Sequence, residues 1–137
     1  MSPAEVVLAY LNTVTGLLTG YGSAVQAVPT TPDLFVTVTD TGGHTDGRIQ
    51  RTGEIITHPG IQVRVRSRDF PTAWDKTQAV LTALSSAKGA VITGRATRTY
   101  RLDSFTMTST PTLMLIEEQA RRHTFVLNGL VTIREIL

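Results

Sequence analysis

Apolar positions along the chain recur with two different periods. Near the start, Val6, Val7, Tyr10, Leu11, Val14, Leu17 and Leu18 repeat at helical spacing within SPAEVVLAYLNTVTGLLTGYG. That stripe predicts an amphipathic helix. Ser2 supplies a cap, Pro3 suits the first turn, Glu5 completes a capping box, and Gly20 and Gly22 end it. The period then changes to two. In DLFVTVTD, Leu34, Val36 and Val38 alternate with Phe35, Thr37 and Thr39, which predicts a strand. In GIQVRVRSR, Ile61, Val63 and Val65 alternate with Gln62, Arg64, Arg66 and Arg68. The contrast predicts a half-buried strand whose outward face carries the arginines. Between these strands, Thr41 to Pro59 has no periodicity and is rich in glycine, which predicts a long mobile loop or a frayed hairpin.

A second helix is predicted over FPTAWDKTQAVLTALSSAKG, started by Pro71 and stopped by Gly89. Its apolar face reads Trp74, Thr77, Val80, Leu81 and Leu84, with Trp74 expected in the core. The remainder reads as strands: AVITG, TRTYRLDSFTMTS, a short TLMLI, and HTFVLNGLVTIREI, where Phe125, Leu127, Val131 and Ile133 share a face. This order predicts an α+β fold, with a mostly antiparallel sheet and both helices on one face. The 137 residues suit one domain spanning 1–137.

Composition narrows the chemistry. There is no cysteine, so disulfides, thiolate metal sites and cysteine nucleophiles are excluded. The first basic residue is Arg48, so no secretory leader is expected, and the N-terminal stretch is too polar to span a bilayer. Residues 1–47 hold Glu5, Asp33, Asp40 and Asp46 and no base. All 13 bases follow, 11 of them arginine. Arginine is favoured at interfaces and lysine is depleted there. A stacking surface for single-stranded nucleic acid also needs exposed aromatics, and only Phe70 and Trp74 lie near the arginine strand. A subunit contact is therefore the preferred use of Arg64, Arg66 and Arg68, with a solvated face as the plainer reading.

Asp40-Thr41-Gly42 is also the triplet of retroviral-type aspartic proteases, and Val91 to Gly94 loosely imitates their second segment. Those enzymes are nearly all-β, however, and a strong helix is expected over residues 71–88. Strand exit explains the triplet more simply: Asp bonds the backbone two residues on, and Gly permits positive φ. His44, Asp46 and His58 share a polar stretch but match no metal-ligand spacing. His123, beside Arg121 and Arg122, reads as a surface residue. No catalytic residue, metal site or cofactor is expected.

Taken in order, LFVTVTDTGG, HPGIQVRVRSRDFPTAWDKTQAVLTAL and PTLMLIEEQARRHTFVLNGLV resemble the tail terminator proteins of long-tailed bacteriophages, also called minor capsid or head–tail joining proteins. The positions that carry the resemblance are Asp40 to Gly43, Pro59, Gln62 to Arg66, Trp74, Pro111, Glu118, Arg122 and Asn128. Leu115-Ile116-Glu117-Glu118 departs from the Leu-Gly-x-Asp that relatives tend to show. The resemblance implies a non-enzymatic virion protein in the neck of the tail, assembled in the host cytoplasm. It would form a homo-oligomeric ring, usually of six copies, that ends tube polymerisation. Its partners would be the tail tube protein and the head connector or head-completion protein. DNA would pass through the hole without its sequence being read, and no membrane would be involved. The interface candidates are Asp40, Thr41, Gly42, Gly43, Gln62, Arg64, Arg66, Arg68, Glu118 and Arg122. The rival readings are another neck component, such as a head-completion or tail-tube-like protein, and a retropepsin-like aspartic protease.

Overall fold

A computed structural model describes residues 1–48 and 53–136. The elements run α1 (Pro3–Thr13), β1 (Gly22–Val25), β2 (Phe35–Arg48), β3 (Ile55–Ser67), α2 (Phe70–Ser85), β4 (Ala90–Thr93), β5 (Thr99–Glu117) and β6 (Arg122–Ile136). A single six-stranded sheet has the order β1-β2-β3-β6-β5-β4. Among the described residues, only β1 pairs in parallel, along Phe35–Val38 of β2. The fold is α+β, as the alternation of periods requires.

Alternation sorts the central strands. Val36 and Val38 of β2 stand opposite Val65 and Val63 of β3, which stand opposite Phe125 and Leu127 of β6. These side chains are at most 2 % exposed, and most of them join one core with Val6, Val7, Tyr10 and Leu11 of α1 and Val80 and Leu84 of α2. Full burial of an aliphatic side chain of this size contributes about 1.5–3 kcal/mol. The Tyr10 hydroxyl donates to the Ala83 carbonyl at 2.6 Å, joining the two helices within that core.

The helix caps form as the sequence predicts at one end and not at the other. In α1 the Ser2 N–H donates to Glu5 Oε2 at 2.6 Å and the Glu5 N–H to Ser2 Oγ at 3.2 Å. The helix stops at Thr13, seven residues before Gly20, because Val14 is extended and Gly16 takes φ +75°. The apolar stripe continues through a turn instead, and Leu17 is still buried. Lys76 holds that turn against α2, donating to the Leu17 carbonyl at 2.6 Å with its ammonium 4.9 Å from the Tyr21 ring centre. In α2, Asp69 caps by accepting the Thr72 N–H at 2.9 Å.

Two further expectations are corrected, and a third is decided between its alternatives. The described part of Thr41 to Pro59 is the hairpin rather than the loop: β2 and β3 stay paired as an antiparallel arm, Gly43 opposite Pro59 and Arg48 opposite Ile55, with register shifts after Asp40 and Thr45. Residues 49–52 of that stretch lie outside the described residues. TRTYRLDSFTMTS and TLMLI fuse into one strand, β5, which carries Pro111 at a shift in register. Trp74 is 38 % exposed rather than in the core, and Ala73, Thr77, Val80, Ala83 and Leu84 form the buried face of α2. Among the described residues, no helix is long and apolar enough to cross a membrane.

Candidate assembly surface

The ten candidate residues divide into three groups. The first is the Asp40–Gly43 segment. Asp40 Oδ1 accepts the Ala4 N–H at 2.9 Å, and Oδ2 accepts from Gln26 Nε2 at 2.8 Å. Ala4 lies in the first turn of α1, where backbone N–H groups lack partners within the helix. Asp40 is therefore a tertiary cap, placed at the last β2 residue before the register shift with β3. Beyond it the chain bulges at Thr41. Gly42 takes φ +93°, open to glycine at no steric cost. A side chain on Gly43 would run into the His58 carbonyl across the ladder. Thr41, Gly42 and Gly43 are all exposed.

The second group is the outer face of the sheet, opposite the helices. Arg64 Nε donates to Gln62 Oε1 at 2.9 Å, and Gln62 Nε2 donates to Asn128 Oδ1 at 3.1 Å. This ladder crosses from β3 to β6 and fixes the Arg64 guanidinium. Its terminal nitrogens have no partner among the described residues, so they remain able to meet a carboxylate by the two-pronged pairing arginine favours. Asn128 belongs with this set by geometry; in the sequence only its place in the resemblance marks it.

The third group departs from expectation. Arg66 does not face outward into solvent; it is 5 % exposed. The segment 26–34 lies across this end of the outer face as a strap. Arg66 donates to the carbonyls of Asp33 (3.0 Å), Pro29 (2.7 Å) and Pro32 (2.5 Å), and its guanidinium lies 5.7 Å from the Phe35 ring centre. Arg122, 9 % exposed, donates to the Thr30 carbonyl, is paired with Glu117, and lies 3.7 Å from Asp33. Thr37 Oγ1 holds the other side of the strap, donating to the Ala27 carbonyl at 2.8 Å. Burial, and secondarily the nearby Arg122 charge, push the Arg66 guanidinium below its ordinary range, against the pull of Glu117 and Asp33. Both arginines therefore serve the monomer. Arg68 stays exposed, 3.6 Å from Asp33, and Glu118 sits exposed in the turn between β5 and β6.

The other sequence candidates are dispersed. His58 Nδ1 is 3.1 Å from Thr132 Oγ1. The side chains of His44 and Asp46 lie outside the described residues. His123 is half-buried rather than on the surface, with its ring edge-on to Phe70 at 6.2 Å.

A sequence profile described as bacteriophage tail terminator protein matches residues 10–122. The chain belongs to the bacteriophage tail terminator family. The match contains all ten candidate residues and runs from α1 to the first residue of β6. Tail terminators are structural proteins of the phage virion, and a structural tail role is what family membership gives this chain. The fold agrees. A solved chain from the "Virion of native gene transfer agent (GTA) particle" superposes with a TM-score of 0.53 at 20 % identity, covering 93 % of this chain and 91 % of that one. No curated protein matches the sequence.

Proposed function

We propose that this protein forms a ring, expected to contain six copies, at the head-proximal end of a phage tail tube. The ring stops tube polymerisation with one face and meets the head connector with the other. It assembles in the host cytoplasm and lets DNA through its hole without reading sequence. The observation that carries this reading is the family match across residues 10–122. The site geometry supports it: Asp40 serves as a helix cap, and Arg64 is held by Gln62 with its terminal nitrogens free of partners among the described residues.

Negative-stain electron microscopy of the purified protein, alone and with polymerising tail tubes, tests the proposal. Rings of uniform size that cap tubes of defined length are expected. A protein that stays monomeric while tubes elongate past it is not a terminator, and one that adds copy after copy to the tube is a tube-like component instead.

A further inference from the structure

The sheet is half covered at each side. β1 shields β2 only along Phe35–Val38, and β4 shields β5 only along Thr99–Leu102. Among the described residues, no strand pairs with β2 on this side beyond Val38, where Gln26 reaches the Val38 carbonyl and the Asp40 carboxylate, or with β5 on its outer side beyond Leu102. The open part of β2 lies at the end of the sheet marked by Ile55 and Glu135, and that of β5 extends to the end marked by Ser67 and His123. The two open edges occupy diagonally opposite corners. β2 and β5 also run in opposite directions, since each pairing from β2 through β3 and β6 to β5 is antiparallel. Open edges of this length are templates for further strands.

The edges differ in ways that fit each other. β5 presents Met114, Leu115 and Ile116 at 43, 45 and 50 % exposure, and Phe70 and Trp74 form a ledge over Phe125 close by. Pro111 and the register shifts around it divide this edge, leaving Thr112–Glu117 as its apolar segment. β2 presents Thr39-Asp40-Thr41-Gly42-Gly43, which has no large side chain, and a side chain on Gly42 would meet nothing within 4 Å.

We infer that the Thr112–Glu117 edge of one copy pairs antiparallel with the Thr39–Gly43 edge of the next copy of this chain. The contact joins two different surfaces, so it repeats head to tail and closes into a ring when the rotation allows. The diagonal offset staggers every junction in the same sense, which a closed sheet of tilted strands requires. The inference rests on the ring reading above and specifies its contact.

Because the chain has no cysteine, introduced thiols report this contact cleanly. Thr39→Cys and Thr41→Cys are each combined with Leu113→Cys and with Leu115→Cys in the full chain, with every single variant as control. Paired strands bring Cα atoms to about 4.5–5.5 Å, within disulfide reach. At least one double variant should give, on mild oxidation, a covalent ladder ending at the ring size, while single variants give less than a tenth of that product. Efficient dimers from Leu115→Cys alone would overturn the inference in favour of a two-fold β5 contact. Rings seen by microscopy with no ladder from any pair would overturn it while leaving the terminator reading intact. No rings and uncapped tubes would sink both.

Discussion

Asp40 Oδ1 lies 2.9 Å from the Ala4 backbone nitrogen, across a sequence separation of 36 residues. A carboxylate in a motif that resembles a protease triplet thus terminates a helix of its own subunit. Losing a side-chain cap costs roughly 0.5–2 kcal/mol. Asp40→Ala should lower stability by about that amount. Asp40→Asn keeps an acceptor for Ala4 and should cost less than half as much. Urea denaturation followed by circular dichroism checks the order, and equal losses would show that the contact with Ala4 is not what Asp40 contributes.

Arg64 and Arg66, two residues apart on one strand face, should separate assembly from folding. Arg64→Glu should leave the melting curve nearly unchanged, while ring formation measured by light scattering falls at least tenfold. Arg66→Ala removes a guanidinium held by three carbonyls under the strap. It should cost about 2–4 kcal/mol, since hydrogen bonds to charged groups contribute about 1.5–3 kcal/mol each and water restores part of the loss. If Arg64→Glu assembles normally, the outer-face ladder is a solvated feature of the monomer.

On α2, Leu84 is fully buried and Leu81 only partly. Leu84→Ala should cost about 2–5 kcal/mol, the usual range for a core leucine. Leu81→Ala should cost less than half of that. Chemical denaturation of the two variants would reveal a reversed order at once.

Acid should weaken both helix starts. The Glu5 carboxyl is held below its ordinary 4.5, first by the Ser2 N–H and then by the Arg95 charge. Asp69 is held below 3.8 by Thr72. A depressed acid stabilises the fold when ionised, so its contribution is present above the ordinary value and is lost as pH falls through the lower folded one. The double variant Glu5→Gln, Asp69→Asn should therefore lose less stability than wild type as pH drops below about 4.5. Parallel denaturant midpoints across that range would refute this.

Gly43→Ala should destabilise the β2–β3 arm, because the added methyl meets the His58 carbonyl. Overpacking of this kind costs about 1–3 kcal/mol. Amide exchange at Thr45 and Thr57 should quicken severalfold, and unchanged protection would show that the arm absorbs the methyl.

The core of this fold was legible because its signals are local. Alternation from Ile61 to Val65 reports which side of β3 is apolar, helical spacing from Val6 to Leu11 does the same for α1, and Ser2 with Glu5 marks a start that needs no distant partner. Phage tail kinship was legible in the ordered segments from Asp40 to Asn128. The rest depended on contacts between distant segments. Alternation marks Arg66 as pointing away from the core, but whether it meets solvent or the carbonyls of Pro29, Pro32 and Asp33 depends on where a strap with no periodicity comes to lie. Glycine content makes residues 41–48 look like a loop, yet they extend β2 because β3 and β6 supply a ladder on which even a bulged, glycine-rich strand can satisfy its backbone. Trp74 fits the apolar face of α2 on spacing alone. It packs edge-on against Phe125 of β6 and is left 38 % exposed, because spacing within a helix does not say how far a neighbouring element extends over it.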